Sequence, residues 1–203
     1  MRPSKVFLAT FILFCAVAAS FAQTTRQSYR RYADADNPQG FSAGGYVALG
    51  FPSAGQPTGR FGGFEGQVGV YGEWRRGNFA YGLEGRVAGE SLDDSFDDGC
   101  CLAGTASQNL IGPRLEYSVH AVHPYVEALF GSAHQTNTPL PGPAINGLTP
   151  EATNSGFGTV GAVGVDFDLH PHARFRVDYS VGGLTGQHGY LTQSVVFGYV
   201  LHF

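Results

Sequence analysis

The chain has 203 residues, with 12 lysines and arginines against 16 aspartates and glutamates, and a formal net charge of −4. This length suits one domain, and the acidic balance excludes a nonspecific binder of nucleic acid or of anionic surfaces. The 30 glycines would weaken helices. A β-barrel that alternates small residues with aromatic ones accommodates both the glycines and the 13% aromatic residues.

The chain begins with the three parts of a secretory signal peptide. Arg2 and Lys5 precede an apolar run over residues 6–18, and the sequence Ser-Phe-Ala at 20–22 supplies a small-x-small cleavage site. The apolar run is shorter than the roughly 20 residues that a membrane-spanning helix needs. We therefore expect residues 1–22 to be a signal peptide that is removed after export.

Adjacent cysteines, Cys100 and Cys101, are the two that remain after this cleavage. Exported proteins meet oxidising conditions, in which thiols form disulfides. Neighbouring cysteines bond to each other only through a strained ring. A vicinal disulfide, a disulfide between chains and two free thiols are therefore all open, and the compartment favours the vicinal disulfide.

Residues 23–40 form a polar lead segment without a period, which we expect to be a poorly ordered stretch on the periplasmic side. Eight runs follow it in which apolar residues alternate with polar or small ones. A period of two indicates a β-strand. Pro113 lies within the fourth run, where it is expected to interrupt the hydrogen-bond ladder. The predicted strands are residues 41–51, 64–74, 79–90, 110–119, 125–132, 157–169, 173–180 and 191–203.

The last run has the clearest pattern, and it predicts a strand that closes the sheet. One of its faces is entirely apolar and aromatic, whereas the other mixes small, polar and apolar residues. The apolar face consists of Val195, Phe197, Tyr199, Leu201 and Phe203.

Long and short connections alternate along the chain. A Pro/Gly-rich stretch after the first run and residues 91–107, 133–155 and 181–190 form four long loops, whereas three turns are tight. Aromatic residues cluster at the strand ends near the tight turns, as an interfacial girdle would. The predicted girdle is Phe41, Trp74, Phe79, Tyr117, Tyr125, Phe167, Phe175 and Phe203.

The orientation of the two faces decides the fold. A soluble periplasmic β-sandwich would bury the apolar face and expose the charges. The alternating connections and the girdle favour a barrel whose apolar face points outward to lipid. The apolar faces also carry no charge, as such a barrel requires, because an outward arginine in the middle of a membrane costs about 2–4 kcal/mol. We predict an all-β protein, an eight-stranded antiparallel up-and-down transmembrane β-barrel over residues 41–203, with four long outer loops and three short periplasmic turns.

The alternating runs, Gly-Val-Asp-Phe at 164–167, Arg-Phe-Arg-Val-Asp-Tyr at 174–179 and the terminal Phe203 resemble the OmpA-type eight-stranded outer-membrane barrel domain. The resemblance implies an outer-membrane location and recognition of the last strand, Phe203 with Leu201 and Tyr199, by the outer-membrane assembly machinery. Some relatives carry a wall-binding domain after the barrel. None follows here, so tethering to the cell wall is not expected.

The charged residues of the polar faces are predicted to fill the barrel. Buried charges must pair, and an eight-stranded interior is just wide enough to be filled by side chains. This favours a salt-bridged plug over the alternative, a narrow pore whose surplus of acids prefers cations. The inward set is Glu65, Glu73, Glu84, Arg86, Glu90, Arg114, Glu116, Glu127, Asp166, Asp168, Arg174, Arg176 and Asp178.

Two groups of residues are weak candidates for a metal site. Four aspartates precede Cys100 in a loop without full calcium-loop spacing, so a solvated acidic loop is favoured. Several histidines fall near the tight turns, where imidazoles from neighbouring turns could meet around Zn²⁺, although turns tolerate histidine without a metal. No metal or cofactor is predicted. The acidic residues are Asp93, Asp94, Asp97 and Asp98, and the histidines are His120, His123, His170, His172 and His202.

A lipid-modifying enzyme is the catalytic alternative. Lipid A deacylases, which are also small barrels, use a His-x-Ser pair near the outer end of a late strand, and Asp178-Tyr179-Ser180 stands at that position here. The histidine is missing, and His188 in the following loop is a loose substitute for a base held on a strand. We therefore predict no enzymatic activity.

The predicted function is that of a nonenzymatic outer-membrane protein that contributes to envelope integrity. The long loops are candidates for binding or adhesion, because loops on rigid scaffolds often carry recognition. The expected partners are outer-membrane lipids and the assembly machinery, with no nucleic acid, and the barrel is expected to be a monomer.

Overall fold

The structure, a computed structural model, describes residues 39–56, 59–93, 102–139, 152–185 and 191–203. Within these ranges it contains no helix long and apolar enough to cross a membrane. The predicted signal peptide, nearly all of the lead segment, Cys100, Cys101 and His188 lie outside the described residues and stay predictions.

Eight antiparallel strands form a closed barrel in which each strand pairs with its neighbours in sequence and the last pairs with the first. This confirms the predicted fold class. The strands are β1 (Gln39–Gln56), β2 (Gly59–Arg76), β3 (Phe79–Asp93), β4 (Leu102–Tyr117), β5 (Val122–Pro139), β6 (Ala152–His170), β7 (Ala173–Thr185) and β8 (Leu191–His202).

One end of the barrel, called the turn end, carries the connections at 77–78, 118–121 and 171–172. The opposite end, the loop end, carries the four other connections. At the loop end the predicted strand limits were wrong, because the strands continue well into the stretches predicted as loops. The first predicted long loop shrinks to residues 57–58, since Gln56 pairs with Gly59.

Backbone pairing explains these longer strands. Residues 133–139 of β5 pair with β4, and residues 133–137 pair with the beginning of β6, although they form no apolar stripe. A ladder of backbone hydrogen bonds does not require apolar side chains, so the strands extend beyond the part of the barrel that the hydrophobic pattern marks.

Alternation places apolar side chains outside and charged ones inside. Along β1, Val47 and Leu49 are 60% and 68% exposed, whereas Tyr46, which directly precedes Val47, is 3% exposed. Glu84 and Arg86 of β3 point inward and are buried, while Leu83 and Val87 point outward. The apolar surface is therefore the outside of the cylinder, opposite to what a soluble sandwich requires.

Pro113 is accommodated by a local gap in the ladder between β4 and β5. Ile111 pairs with Phe130 and Arg114 pairs with Glu127 in the same register, and between them Gly112 and Pro113 have no pairing partner in β5. Proline offers no N–H, so the gap removes a requirement that it cannot meet. The register on both sides of the gap, and hence the inward direction of Arg114, is preserved.

Aromatic residues form a belt near the turn end, on β1 to β4 in particular. Phe41 packs against Trp74 with ring centroids 5.2 Å apart, and Phe79 packs against Tyr117 at 4.8 Å. The prediction is wrong for Tyr125, which is 3% exposed and points into the barrel. Its position has the parity of Glu127 on the same strand, so the ring faces the lumen.

Candidate functional site: the barrel lumen

The predicted inward charges all lie on the lumen side of the wall. All are buried except Asp168, which is partly exposed near the turn end. They divide into three levels along the barrel: a cluster at the turn end, a ring at the centre, and a pocket toward the loop end.

Four side chains at the centre form a closed ring of alternating charge, here called the central charge ring: Glu84, Arg114, Asp166 and Arg176. Arg114 donates to Glu84 over 3.0 Å and to Asp166 over 2.9 Å. Arg176 contacts the same two acids, at 2.9 Å from Asp166 and 3.5 Å from Glu84. Each charge therefore has two opposite neighbours, in a place where an unpaired charge would be costly.

Three tyrosines enclose the arginines of this ring. The guanidinium carbon of Arg114 lies 3.8 Å from the ring centre of Tyr125 and 4.8 Å from that of Tyr71. The guanidinium carbon of Arg176 lies 4.1 Å from the ring centre of Tyr46. Cation–π contacts of this kind are stronger when desolvated, so the aromatic faces stabilise charge and close the space around it.

A second set of contacts extends the ring toward the loop end. Arg86 donates to Glu84 over 3.0 Å and forms an ion pair with Glu127. Tyr46 donates its hydroxyl proton to Glu84 over 2.6 Å, and Tyr125 donates to Asp178 over 3.0 Å. These bonds join β1, β3, β5 and β7 across the interior.

At the turn end, Glu116 is the centre of what we call the turn-end cluster, with Arg75, His123, Asp168 and Arg174. Arg75 and Arg174 lie 2.9 Å and 3.4 Å from Glu116. Arg174 also donates to Asp168 over 2.9 Å, and His123 lies 3.0 Å from the same carboxylate. The cluster spans β2, β4, β5, β6 and β7 and closes this end of the lumen with paired groups.

Toward the loop end, the lumen has a different chemistry. Glu65 and Glu90 are both buried, at 5% and 6% exposure, and none of the ion pairs among the described residues includes either of them. Their hydrogen-bond partners are amides: Gln67 donates to Glu65, and Gln108 donates to Glu90 over 2.7 Å. A small cavity lies between them and β7 and β8, and is called the loop-end pocket.

The five candidate histidines are brought to the turn end, as their positions predicted. Within the described ranges, however, no three His, Cys, Asp or Glu side chains are arranged to hold a metal ion. His123 is occupied by the turn-end cluster, and the rings of His170 and His172 are 6.4 Å apart. The side chain of Asp93 and residues 94–98 lie outside the described part, so the acidic loop stays a prediction.

The serine of the catalytic alternative faces the wrong way for a lipid substrate. Ser180 is 6% exposed and lines the loop-end pocket, whereas Tyr179 beside it faces outward and donates to Gln193 over 2.7 Å. A lipid chain would meet Tyr179 rather than the hydroxyl of Ser180.

The sequence reasoning missed the aromatic members of the lumen and two cations. The predicted girdle placed Tyr125 outside, yet its ring points inward. Tyr46 and Tyr71, which no prediction assigned to the lumen filling, also point inward, and the predicted inward set lacked Arg75 and His123. A signal was present for the tyrosines, because each is paired across strands with a glycine whose missing side chain leaves room for the ring. These pairs are Tyr46 with Gly69, Tyr71 with Gly44, and Tyr125 with Gly164.

Solved structures resemble this barrel in fold. Neisserial surface protein A has a TM-score of 0.55 and 13% identity, over 81% of this chain and 99% of that one. Ail, the attachment invasion locus protein of Yersinia pestis, has a TM-score of 0.50 and 14% identity, over 80% of this chain and 98% of that one. At these identities the likeness establishes the fold alone.

Sequence comparison gives the family. No curated protein matches the chain significantly. Residues 7–203 match the outer membrane protein beta-barrel domain, a match that covers nearly the whole sequence. The chain is therefore an outer-membrane β-barrel protein, a member of the outer membrane protein beta-barrel domain family.

Proposed function

We propose that the protein is a nonenzymatic, nonconducting barrel that contributes to the integrity of the outer membrane. The observation that carries the proposal is the central charge ring, in which Arg114 and Arg176 are 2% and 0% exposed. An ion that crossed the lumen would have to displace these arginines from their carboxylates and from the tyrosine faces. Doing so would leave buried charges unpaired.

Buried apolar side chains of other strands fill the lumen around the central charge ring. Val196 and Val200 of β8 are fully buried and pack in one cluster with Tyr46 and Tyr71. On the other side, Leu129 of β5 is 1% exposed. An eight-stranded barrel has an interior that side chains can fill, and here all eight strands supply at least one of them.

An envelope role follows from a filled cylinder with an apolar outside. Exposed apolar residues such as Val68 and Val163 suit contact with the lipids of the outer membrane. The expected monomer has every strand edge paired within one chain, so it needs no second copy to close its sheet.

Two further partners belong to the same proposal. Phe203 is 78% exposed while its backbone exchanges hydrogen bonds of 2.8 Å and 3.2 Å with Ala43, which supports its role as an accessible recognition residue for the assembly machinery. Binding or adhesion through the loop end would use residues 94–101 and 140–151, which lie outside the described ranges.

Planar bilayers test the sealed lumen against the pore alternative. The full-length mature protein, refolded without other porins, is added to a bilayer in KCl, and insertion is verified by the shift in gel mobility between unheated and heated samples. We expect no discrete conductance steps. Uniform, cation-selective steps from the folded protein would overturn the nonconducting assignment.

The envelope role has a separate test in cells. A strain that lacks the gene should become more sensitive to detergents and to large antibiotics that an intact outer membrane excludes, and the wild-type gene should restore resistance. Unchanged sensitivity together with altered lipid A in mass spectra would favour the enzyme and contradict the proposal.

A further inference from the structure

The loop-end pocket places two carboxylates side by side without a positive partner. Glu65 of β2 and Glu90 of β3 are directly paired across the two strands, and both point into the lumen. Side chains in such a pair have Cβ atoms about 4.5–5.5 Å apart, and like charges at this distance repel each other. The arrangement therefore needs something that offsets the repulsion.

The nearest cation in the pocket is committed elsewhere. Arg86 lines the pocket, but its guanidinium contacts Tyr46, Glu84 and Glu127, on the side of the central charge ring. None of the ion pairs formed by the described residues links it to Glu65 or Glu90.

Unpartnered oxygens line the cavity between these carboxylates and β8. Oε2 of Glu90 and Oγ of Ser194 are buried and have no hydrogen-bond partner within the described part of the chain. Both residues line the cavity and are at least nine-tenths buried. Of the eleven buried side-chain atoms of the described residues that lack a partner, these two belong to residues that line the cavity, so a guest in the cavity could satisfy them.

Gly50 lies beside two of the residues that line the cavity. A Cβ atom at this glycine would lie 2.7 Å from Oε2 of Glu65 and 2.7 Å from Oγ of Ser194. The missing side chain thus leaves room for both oxygens near the same point. With Glu90, residues from three strands bring side-chain oxygens to the lining of one cavity.

The size and chemistry of the cavity restrict the guest. Its volume is about 10 Å³, close to what a single water-sized sphere needs. Two carboxylate residues, Glu65 and Glu90, line it together with the hydroxyl residues Ser180, Thr192 and Ser194. Hard divalent cations prefer oxygen ligands of this kind.

We propose that the loop-end pocket binds one Ca²⁺ ion between Glu65 and Glu90, with Ser194 as a neutral oxygen ligand. Two carboxylates balance the charge of the ion and lose their mutual repulsion when it is bound. Ca²⁺ fits better than Mg²⁺, because Ca²⁺ accepts an irregular mixture of carboxylate and neutral oxygens, whereas Mg²⁺ demands a near-octahedral arrangement at shorter distances.

The ion would enter from the loop end. At the level of Glu90, the outward side chains of Ser91, Thr105 and Ser107 are exposed and polar, in contrast to the apolar belt farther along the same strands. The pocket therefore lies close to the outer boundary of the apolar belt, where calcium in the medium has a short path to it.

Isothermal titration of the refolded full-length protein with CaCl₂ tests the proposal. The protein is refolded from inclusion bodies into detergent micelles, free of lipopolysaccharide, which itself binds Ca²⁺. We expect one ion per chain, and a loss of affinity of at least about tenfold in Glu65→Gln and in Glu90→Gln, because each removes one ligand charge. Ser194→Ala should weaken binding less.

Glu73→Gln is the matched control, because Glu73 is a buried inward glutamate on the same strand as Glu65 but near the turn end. This variant should bind Ca²⁺ with wild-type affinity. No stoichiometric binding by the wild type, or binding that Glu65→Gln and Glu90→Gln leave unchanged, would overturn the site. Equal or tighter binding of MgCl₂ would overturn the choice of Ca²⁺.

A second measurement covers the case in which a variant folds poorly. The temperature at which the folded gel form is lost should rise when Ca²⁺ is added to the wild type, and should not change with Ca²⁺ in Glu90→Gln. A calcium-induced rise of equal size in both proteins would place the ion elsewhere, for example on the acidic loop, and would contradict the proposal.

Discussion

Buried charges have different kinds of partner in the two halves of the lumen. From the turn end to the centre, acids and bases alternate, so that Glu84 and Glu116 each contact at least two arginines. Toward the loop end, Glu65 and Glu90 have amide donors and each other, and no cation among the described residues. Glu84 and Glu116 in the first half therefore have cationic partners within the chain, whereas the two glutamates of the second half have the proposed ion as theirs.

This difference separates two roles within one cylinder. A charge network in which every member is paired blocks the lumen and tolerates little change, because removing one partner exposes the others to the full cost of burial. Repulsion between two carboxylates without a cation lowers the stability of the empty site, and a bound ion removes that repulsion. The sealed half supports the envelope role, and the incomplete half provides the proposed calcium site.

The largest effect is expected from Arg176→Leu, in the central charge ring. The change leaves Asp166 and Glu84 with fewer cations in a fully buried place and should cost about 3–5 kcal/mol of unfolding free energy. Urea titration in micelles measures it, with the fluorescence of Trp74, the single tryptophan, as the signal. Arg76→Leu, at an exposed position next to the turn, is the control and should change stability by less than about 0.5 kcal/mol.

A smaller effect is expected from Arg174→Leu in the turn-end cluster. Arg174 pairs with Asp168, which is partly exposed, and with Glu116, which keeps Arg75 and Arg114 as partners. The loss should be about 1.5–3 kcal/mol, the usual value of a hydrogen bond to a charged group. A loss as large as that of Arg176→Leu would show that the cluster is as tightly coupled as the ring.

The smallest effect is expected from Ser194→Ala in calcium-free buffer. The hydroxyl of Ser194 has no partner among the described residues, so its removal breaks no bond and should change the unfolding free energy by less than about 0.5 kcal/mol. The same titration with CaCl₂ should show less calcium-induced stabilisation than in the wild type. A large loss without calcium would contradict the unpartnered state of this hydroxyl.

The direction of each side chain was predictable from the sequence because a strand has an exact period of two. Charges such as Glu84 and Arg86 cannot face hydrocarbon, so one residue settles the phase of its whole strand. The same rule would have placed Tyr125 correctly through its parity with Glu127. The error came from assigning Tyr125 to the girdle because it lies at a strand end near a tight turn, although a tyrosine opposite a glycine fits inside.

The partners within the lumen were not predictable in the same way. Arg114 and Asp166 lie on strands that are not neighbours, 52 residues apart, and meet only because the barrel closes. The loop-end limits of the strands could not be predicted from the hydrophobic pattern either, because residues 133–139 pair through backbone groups and show no hydrophobic alternation. That Arg86 pairs with Glu84 and Glu127 rather than with Glu65 or Glu90 was likewise not predictable from the pattern.

The most direct test of the two-part lumen compares Glu84→Gln with Glu90→Gln in calcium-free buffer. Both replace a buried inward glutamate on β3 by its neutral isostere, so the two variants differ only in their surroundings. Urea titration should show a loss of about 3–5 kcal/mol for Glu84→Gln, which leaves Arg86, Arg114 and Arg176 each with one buried acid fewer, and a gain of about 0.2–1 kcal/mol for Glu90→Gln, which removes a like-charge pair. Similar losses for both variants would contradict the division of the lumen into a paired half and an incomplete half.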